Sequence, residues 1–222
     1  MLAIDLSLSS LSYAKRKTRE LGLKNLEYAQ ADILKLQSIS RNFDVIEAVG
    51  VLHHLAEPMA AWRILLSILR PGGFMRIGLY SKLARQDIVA AREHIAKRGH
   101  RPSAENIRRC RHELADFGTD APLSKVVNRL DFFSTSGCRD LLFHVQEHQF
   151  TLPDIDDFLR ANELEFLGFD LPVGTLQNFR QRFPNYGTMN NLALWHTFEL
   201  ENPSLFTSMY QFWIRKPLSS GP

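Results

Sequence analysis

Only two cysteines occur in 222 residues, and Cys110 and Cys138 stand far apart with no CxxC spacing. That excludes a disulfide framework and a cysteine-based zinc site, and it makes a reducing, cytoplasmic setting the default expectation. Long apolar runs are lacking as well: none approaches the roughly 18 residues that a membrane span needs. The N-terminus, MLAIDLSLSS, carries neither the basic n-region nor the apolar h-region of a signal peptide. A soluble chain with no membrane partner is the expectation. Charge of one sign is also scarce. A net charge of +3, with no basic run interleaved with aromatics, is too mild for a nucleic-acid partner. The densest basic stretches, Lys15-Arg16-Lys17 and Arg108-Arg109 with Arg111, read as solvated helix faces. Internal repeats and low-complexity segments are absent too.

What is present is ordinary globular material. The chain is 45% hydrophobic and 23% charged, long enough for one domain with a sizeable core. Leu2-Ala3-Ile4 is a short apolar run ending on Asp5 and reads as a buried strand. Ser7, Ser9 and Ser10 offer caps to a helix with Leu11, Ala14, Thr18 and Leu21 on one face, and Gly22 ends it. NLEYAQ (25–30) alternates as a second strand and closes on Ala31-Asp32; FDVIEAV (43–49) is a third. Pro58 opens a helix with Trp62, Leu65, Leu66 and Leu69, which Arg70-Pro71-Gly72-Gly73 stops before a strand FMRIGLY (74–80). Strands alternating with amphipathic helices predict βαβ units and a mostly parallel α/β sheet.

From 81 to about 150 charged helical patterns dominate, predicting a helical insertion or cap. Beyond it, Leu152 to Ala161 reads as a helix and EFLGF (165–169) as a strand. Helical stretches follow around 174–182 and 190–200, then a final strand FTSMYQFWIR (206–215) and a frayed tail. The predicted organisation is a core over 1–80, the cap over 81–150, and helices and strands over 151–222 that complete the sheet. The aromatic MYQFW reads as a strand, not a ligand box.

Chemistry concentrates at strand ends. In open α/β sheets the ligand lies beyond the carboxyl ends of the strands, where an acidic side chain can accept both ribose hydroxyls of a nucleoside. Asp5 is so placed, although it could equally be a helix cap. Asp32, at the end of the next strand and followed by Ile33, can accept the exocyclic amine of adenine. A third strand leads through Val49 into Gly50-Val51-Leu52-His53-His54-Leu55 at the same edge.

AIDLS, QADI, FDVIEAVGVLHHL and LRPGGFMRIGLYS, in this order, resemble the class I S-adenosylmethionine-dependent methyltransferases. More narrowly, with RDLLFHVQEHQFTL and MYQFWIRK, they resemble the small methyltransferase domains often found behind tetratricopeptide repeats. The resemblance implies a Rossmann-like sheet in the order 3-2-1-4-5-7-6 with an antiparallel last strand, and S-adenosylmethionine as cofactor. It implies Asp5 as the ribose ligand, Asp32 and Ile33 at adenine, and Val49 lining the site through its backbone. His53 and His54 fall where a methyl acceptor approaches, as general-base candidates or simply as residues of the helix entry. The acceptor is expected to be a small molecule.

The departure from the family pattern is at the start. The glycine-rich GxGxG turn that holds the methionine half should precede Asp5, where only Met1–Ile4 stand. The first, central strand is therefore expected to be missing. The sheet halves would then pair directly, or another chain or oligomer would fill the gap, or the chain would fold poorly. The alternative function is a non-catalytic binding or interaction domain derived from a methyltransferase. Finally, His144-x-x-Glu147-His148 fits the H-x-x-E-H zinc-peptidase spacing on a helix, but so short a pattern arises by chance. No metal is expected there. A cap contributing His144 or Arg139 to an acceptor site accounts for it better, and a packing or surface role better still.

Overall fold

Leu2–Asp5 (β1) and Glu27–Gln30 (β2) pair in parallel, with Asp5 opposite Gln30. Helix α1 (Leu8–Glu20) connects them; Ser7 caps it by accepting a hydrogen bond from the Ser10 amide at 3.2 Å. Strands β3 (Phe43–Val49) and β4 (Leu69–Leu79) also pair in parallel, joined by α2 (Pro58–Ser67). The computed structural model describes residues 1–116, 122–144, 146–185 and 187–218. The tail expected beyond 218 and the 117–121 stretch of the expected insertion lie outside the described residues.

After β4 come α3 (Gln86–Arg98), α4 (Ala104–Ala115) and α5 (Thr135–Leu142), then α6 (Leu152–Ala161) and β5 (Glu165–Phe169). Helices α7 (Val173–Arg182) and α8 (Leu192–Glu201) lead to the last strand, β6 (Tyr210–Arg215). Helix α6 begins where chemistry dictates: Thr151 and Asp154 form a reciprocal capping box around Pro153. The larger sheet has the order β3-β4-β6-β5, and β6 runs antiparallel to both its neighbours. Across the two sheets two pairings are parallel and two antiparallel, so the expectation of a mostly parallel sheet is met in part, while the antiparallel last strand is as the resemblance implies.

Three further corrections have local causes. Strand β4 starts at Leu69, not Phe74, because a register shift opposite Phe43–Val45 absorbs Arg70 to Gly73 as a bulge. A Cβ on Gly73 would meet the Arg70 and Asp44 carbonyl oxygens at 2.9 Å, so that bulge needs a glycine. Strand β6 starts at Tyr210; Phe206 is buried in the preceding loop, against Phe169 at 4.8 Å. Direct closure of the sheet is not observed: among the described strands none joins β1 to β3. The β1–β2 pair is held by side chains instead. Ile4, Ala31 and Ile33 pack on the main core, to which Leu36 belongs. Strands β1 and β3 are themselves only partly buried, with Val45 54% exposed.

The main core lies on one face of the larger sheet, where Met75, Ile77, Phe212 and Ile214 are fully buried. Trp62 of α2 stacks on Phe158 of α6 at 4.1 Å, and Phe179 on Trp195 at 3.6 Å. The opposite face is open, with Phe74 38% exposed beside Val45. Residues of α3–α5 form a second apolar cluster around Ile88, Ile107, Cys110, Leu114 and Cys138. Arg129 ties it down, chelating Asp87 and donating to the carbonyls of Ala84 and Thr207. Ser81 and Tyr210 both donate to the buried Glu199, whose carboxyl is raised by burial. Among the described residues no helix is long and apolar enough to cross a membrane.

Candidate functional site

Because β1 and β2 run parallel, Asp5 and Asp32 emerge at the same edge. Each carboxylate is half engaged. Asp5 Oδ1 accepts from the Ser7 amide at 2.7 Å, and Asp32 Oδ1 accepts from the Leu34 amide at 3.0 Å. Neither forms an ion pair among the described residues, and the second oxygen of each is left for a ligand's hydroxyl or amine donors. Asp32 caps the 3-10 turn Ile33–Ser38, so the Ile33 amide is a first-turn N–H without a partner in the turn. Acceptors beside a free backbone donor match the chemistry of a nucleoside. Val49 ends β3 opposite Gly78, where a Cβ would lie 2.7 Å from Val49 Cγ1; Gly50, at φ +77°, then turns the chain.

The loop after β3 and the residue after β4 build a shelf of rings. His53 is fully buried, 3.8 Å from the Tyr80 ring and 4.3 Å from His54. Arg85 lies 3.6 Å over the other side of Tyr80 and grips Glu147 through two 2.9 Å hydrogen bonds. Arg92 adds a third donor at 2.8 Å. Burial pushes the Glu147 carboxyl up, but Arg85 and Arg92 outweigh it and hold it below the usual range. The 146–150 segment is laced to the core edge: His148 donates to the His53 carbonyl at 2.8 Å and Phe150 to the Tyr80 carbonyl at 2.9 Å. His54, half-buried, and His144, exposed, face each other with ring centroids 4.1 Å apart.

The two general-base candidates therefore part company. His53 is fully buried, and burial, then the neighbouring His54, pushes its ring down to about 3 against the opposing pull of the Glu147 carboxylate. The unfolded chain takes up that proton near 6.5. Stability from neutral His53 is thus full above 6.5 and lost as pH falls from there toward 3, by up to about 1.4 kcal/mol per pH unit. His53→Phe keeps a ring against Tyr80 and cannot charge. Its melting temperature should fall less than the wild type's between pH 6.5 and 4; superimposable acid limbs would contradict this.

The helical premise of the His144–His148 pattern is overturned, since α5 stops at Leu142 and 146–149 is not helical. Glu147 is committed to arginines, and among the described residues no group of three metal-ligating side chains is found. Arg139 does not reach the shelf; it donates to the Pro102 carbonyl at 2.9 Å. Sequence reasoning missed Tyr80, Arg85 and Arg92. In a stretch dominated by charged residues, Glu147 gave no local signal of its distant partners.

Strand order, edge carboxylates and the turn after β3 together define a Rossmann-like fold of the class I methyltransferase kind. Residues 1–118 match the family described as "Methyltransferase domain", and the chain belongs to that family. It is 26% identical, over 97% of its length, to an uncharacterized protein of Synechococcus, of which it covers 54%. It is also 33% identical over 90 residues to the ubiquinone biosynthesis O-methyltransferase of Parvibaculum lavamentivorans, covering 40% of this chain and 35% of that one. Among solved structures, PKMT2 from Rickettsia typhi superposes on all of this chain with a TM-score of 0.69 at 14% identity, which shows a shared fold. The chain spans 44% of that protein and 54% of the Synechococcus one.

Proposed function

We propose that the chain transfers a methyl group from S-adenosylmethionine to a small-molecule acceptor. One observation carries the reading: Asp5 and Asp32 leave the paired parallel strands β1 and β2 at one edge, with half-free carboxylates beside the Ile33 amide. Asp5 would accept from the ribose hydroxyls, Asp32 and the Ile33 amide would meet the adenine edge, and the Val49 backbone would line the site. The bound sulfonium would supply an electrophilic methyl. The protein's part is to hold an acceptor in line with it and to exclude water. Membership of the methyltransferase family and the O-methyltransferase relative support this. Buried, free Cys110 and Cys138 suit a cytoplasmic setting.

Affinity should be weak in the 222-residue chain by itself. Among the described residues no glycine-rich turn stands between β1 and β3 to grip the methionine half, and a strand supplied by another segment or chain would fill that place. Isothermal titration with S-adenosylmethionine tests this. Saturable binding weaker than micromolar is expected; sub-micromolar binding by a monomer would show that other residues hold the methionine.

A further inference from the structure

Gln146 fixes the tautomers of two facing imidazoles in opposite senses. Its carbonyl oxygen, which can only accept, lies 3.2 Å from His54 Nδ1, so His54 Nδ1 carries the proton and Nε2 a free lone pair. Its backbone amide donates to His144 Nδ1 at 3.3 Å, so the His144 proton sits on Nε2. The rings lie 4.1 Å apart, His54 half-buried and His144 exposed. One therefore offers an acceptor nitrogen and the other a donor, side by side. Burial also lowers the His54 pKa, which keeps Nε2 unprotonated near neutrality.

We infer that the methyl acceptor is a hydroxyl oxygen, bound between His54 Nε2 and His144 Nε2–H. This rests on the methyl-transfer reading above. A hydroxyl has one proton and two lone pairs. It can donate to His54 and accept from His144 while keeping a lone pair for attack. A neutral amine has a single lone pair. If it accepts from His144 it cannot attack, and if it attacks, the His144 donor is left opposed by nothing. In the transfer, the O–H proton passes to His54 Nε2 and an oxygen lone pair forms the O–CH3 bond. The C–S bond of the sulfonium donor breaks with its electron pair left on sulfur. The products are an ether and a neutral thioether, and His54 releases its proton to solvent.

Long-range 1H–15N correlation spectra of the 222-residue chain at pH 7.5, assigned with His54→Ala and His144→Ala, read the tautomers directly. The expected result is Nδ1–H on His54 and Nε2–H on His144, with phenol perturbing both rings. A shared tautomer, or phenol leaving either ring unmoved, overturns the inference. With S-adenosylmethionine and equimolar phenol and aniline, anisole is the expected product and N-methylaniline overturns it. His54→Gln should lose roughly 100-fold of the transfer, the range of a general base. His144→Gln, whose amide donates from near the Nε2 position, should keep most of it, and loss equal to that of His144→Ala counts against the assignment. Transfer to neither acceptor speaks against the methyl-transfer reading, while the tautomers still decide this one.

Discussion

Glu147→Ala should lower the melting temperature by roughly 10 °C or more, the largest single-site effect expected in this chain. The carboxylate is 1% exposed and its Arg85 partner 3%. Removing one member of a buried pair leaves the other's charge uncompensated, which costs about 3–5 kcal/mol. In a chain of this size each kcal/mol shifts the midpoint by about 2–4 °C. The damage should concentrate where the pair acts: Tyr80 loses its guanidinium cover, and the 146–150 segment loses its anchor beside His53. Because replacing both partners by apolar groups can be nearly neutral, Glu147→Leu with Arg85→Met should recover much of the loss. Thermal melts of the three proteins decide it. A single variant melting within about 2 °C of wild type would mean that the pair is far wetter than its burial indicates.

That ion pair also marks where sequence reading stops. The bounds of β3, α6 and β5 are legible because alternation, a capping Thr151 and a three-residue break act within a few positions of one another. Asp5 and Asp32 are legible for the same reason, as acids that end apolar runs. Arg85 and Glu147 stand 62 positions apart, and no local period reports such a pairing. The His144–His148 spacing misleads because it presupposes a helix, and α5 has already ended at Leu142. The start of β4 was hidden by Pro71-Gly72-Gly73, a breaker in a helix but tolerated in a bulge. There the Gly72 amide reaches the Lys216 carbonyl at 2.8 Å and Lys216 returns to Gly73 at 2.9 Å.

The second large effect concerns the nucleoside site. Hydrogen bonds to a charged group are worth about 1.5–3 kcal/mol, so loss of either carboxylate should weaken nucleoside binding by roughly 10–100-fold. Asp5→Asn and Asp32→Asn are the appropriate variants. Each keeps an oxygen for the Ser7 or Leu34 amide and so preserves the local turn. Melting temperatures close to wild type would confirm that any loss of binding is not a loss of fold. On the proposed reading ribose and adenine would be held by separate contacts, so the two substitutions should be additive to within about 0.5 kcal/mol.

The most direct measurement is a backbone amide titration of the 15N-labelled chain with S-adenosylhomocysteine, which offers the nucleoside without the reactive methyl. The account predicts fast-exchange shifts confined to Asp5–Ser7, Asp32–Leu34 and Val49–Val51, lost in Asp5→Asn with Asp32→Asn. Shifts on the open sheet face around Val45 and Phe74, or a wild-type response in the double variant, would contradict it.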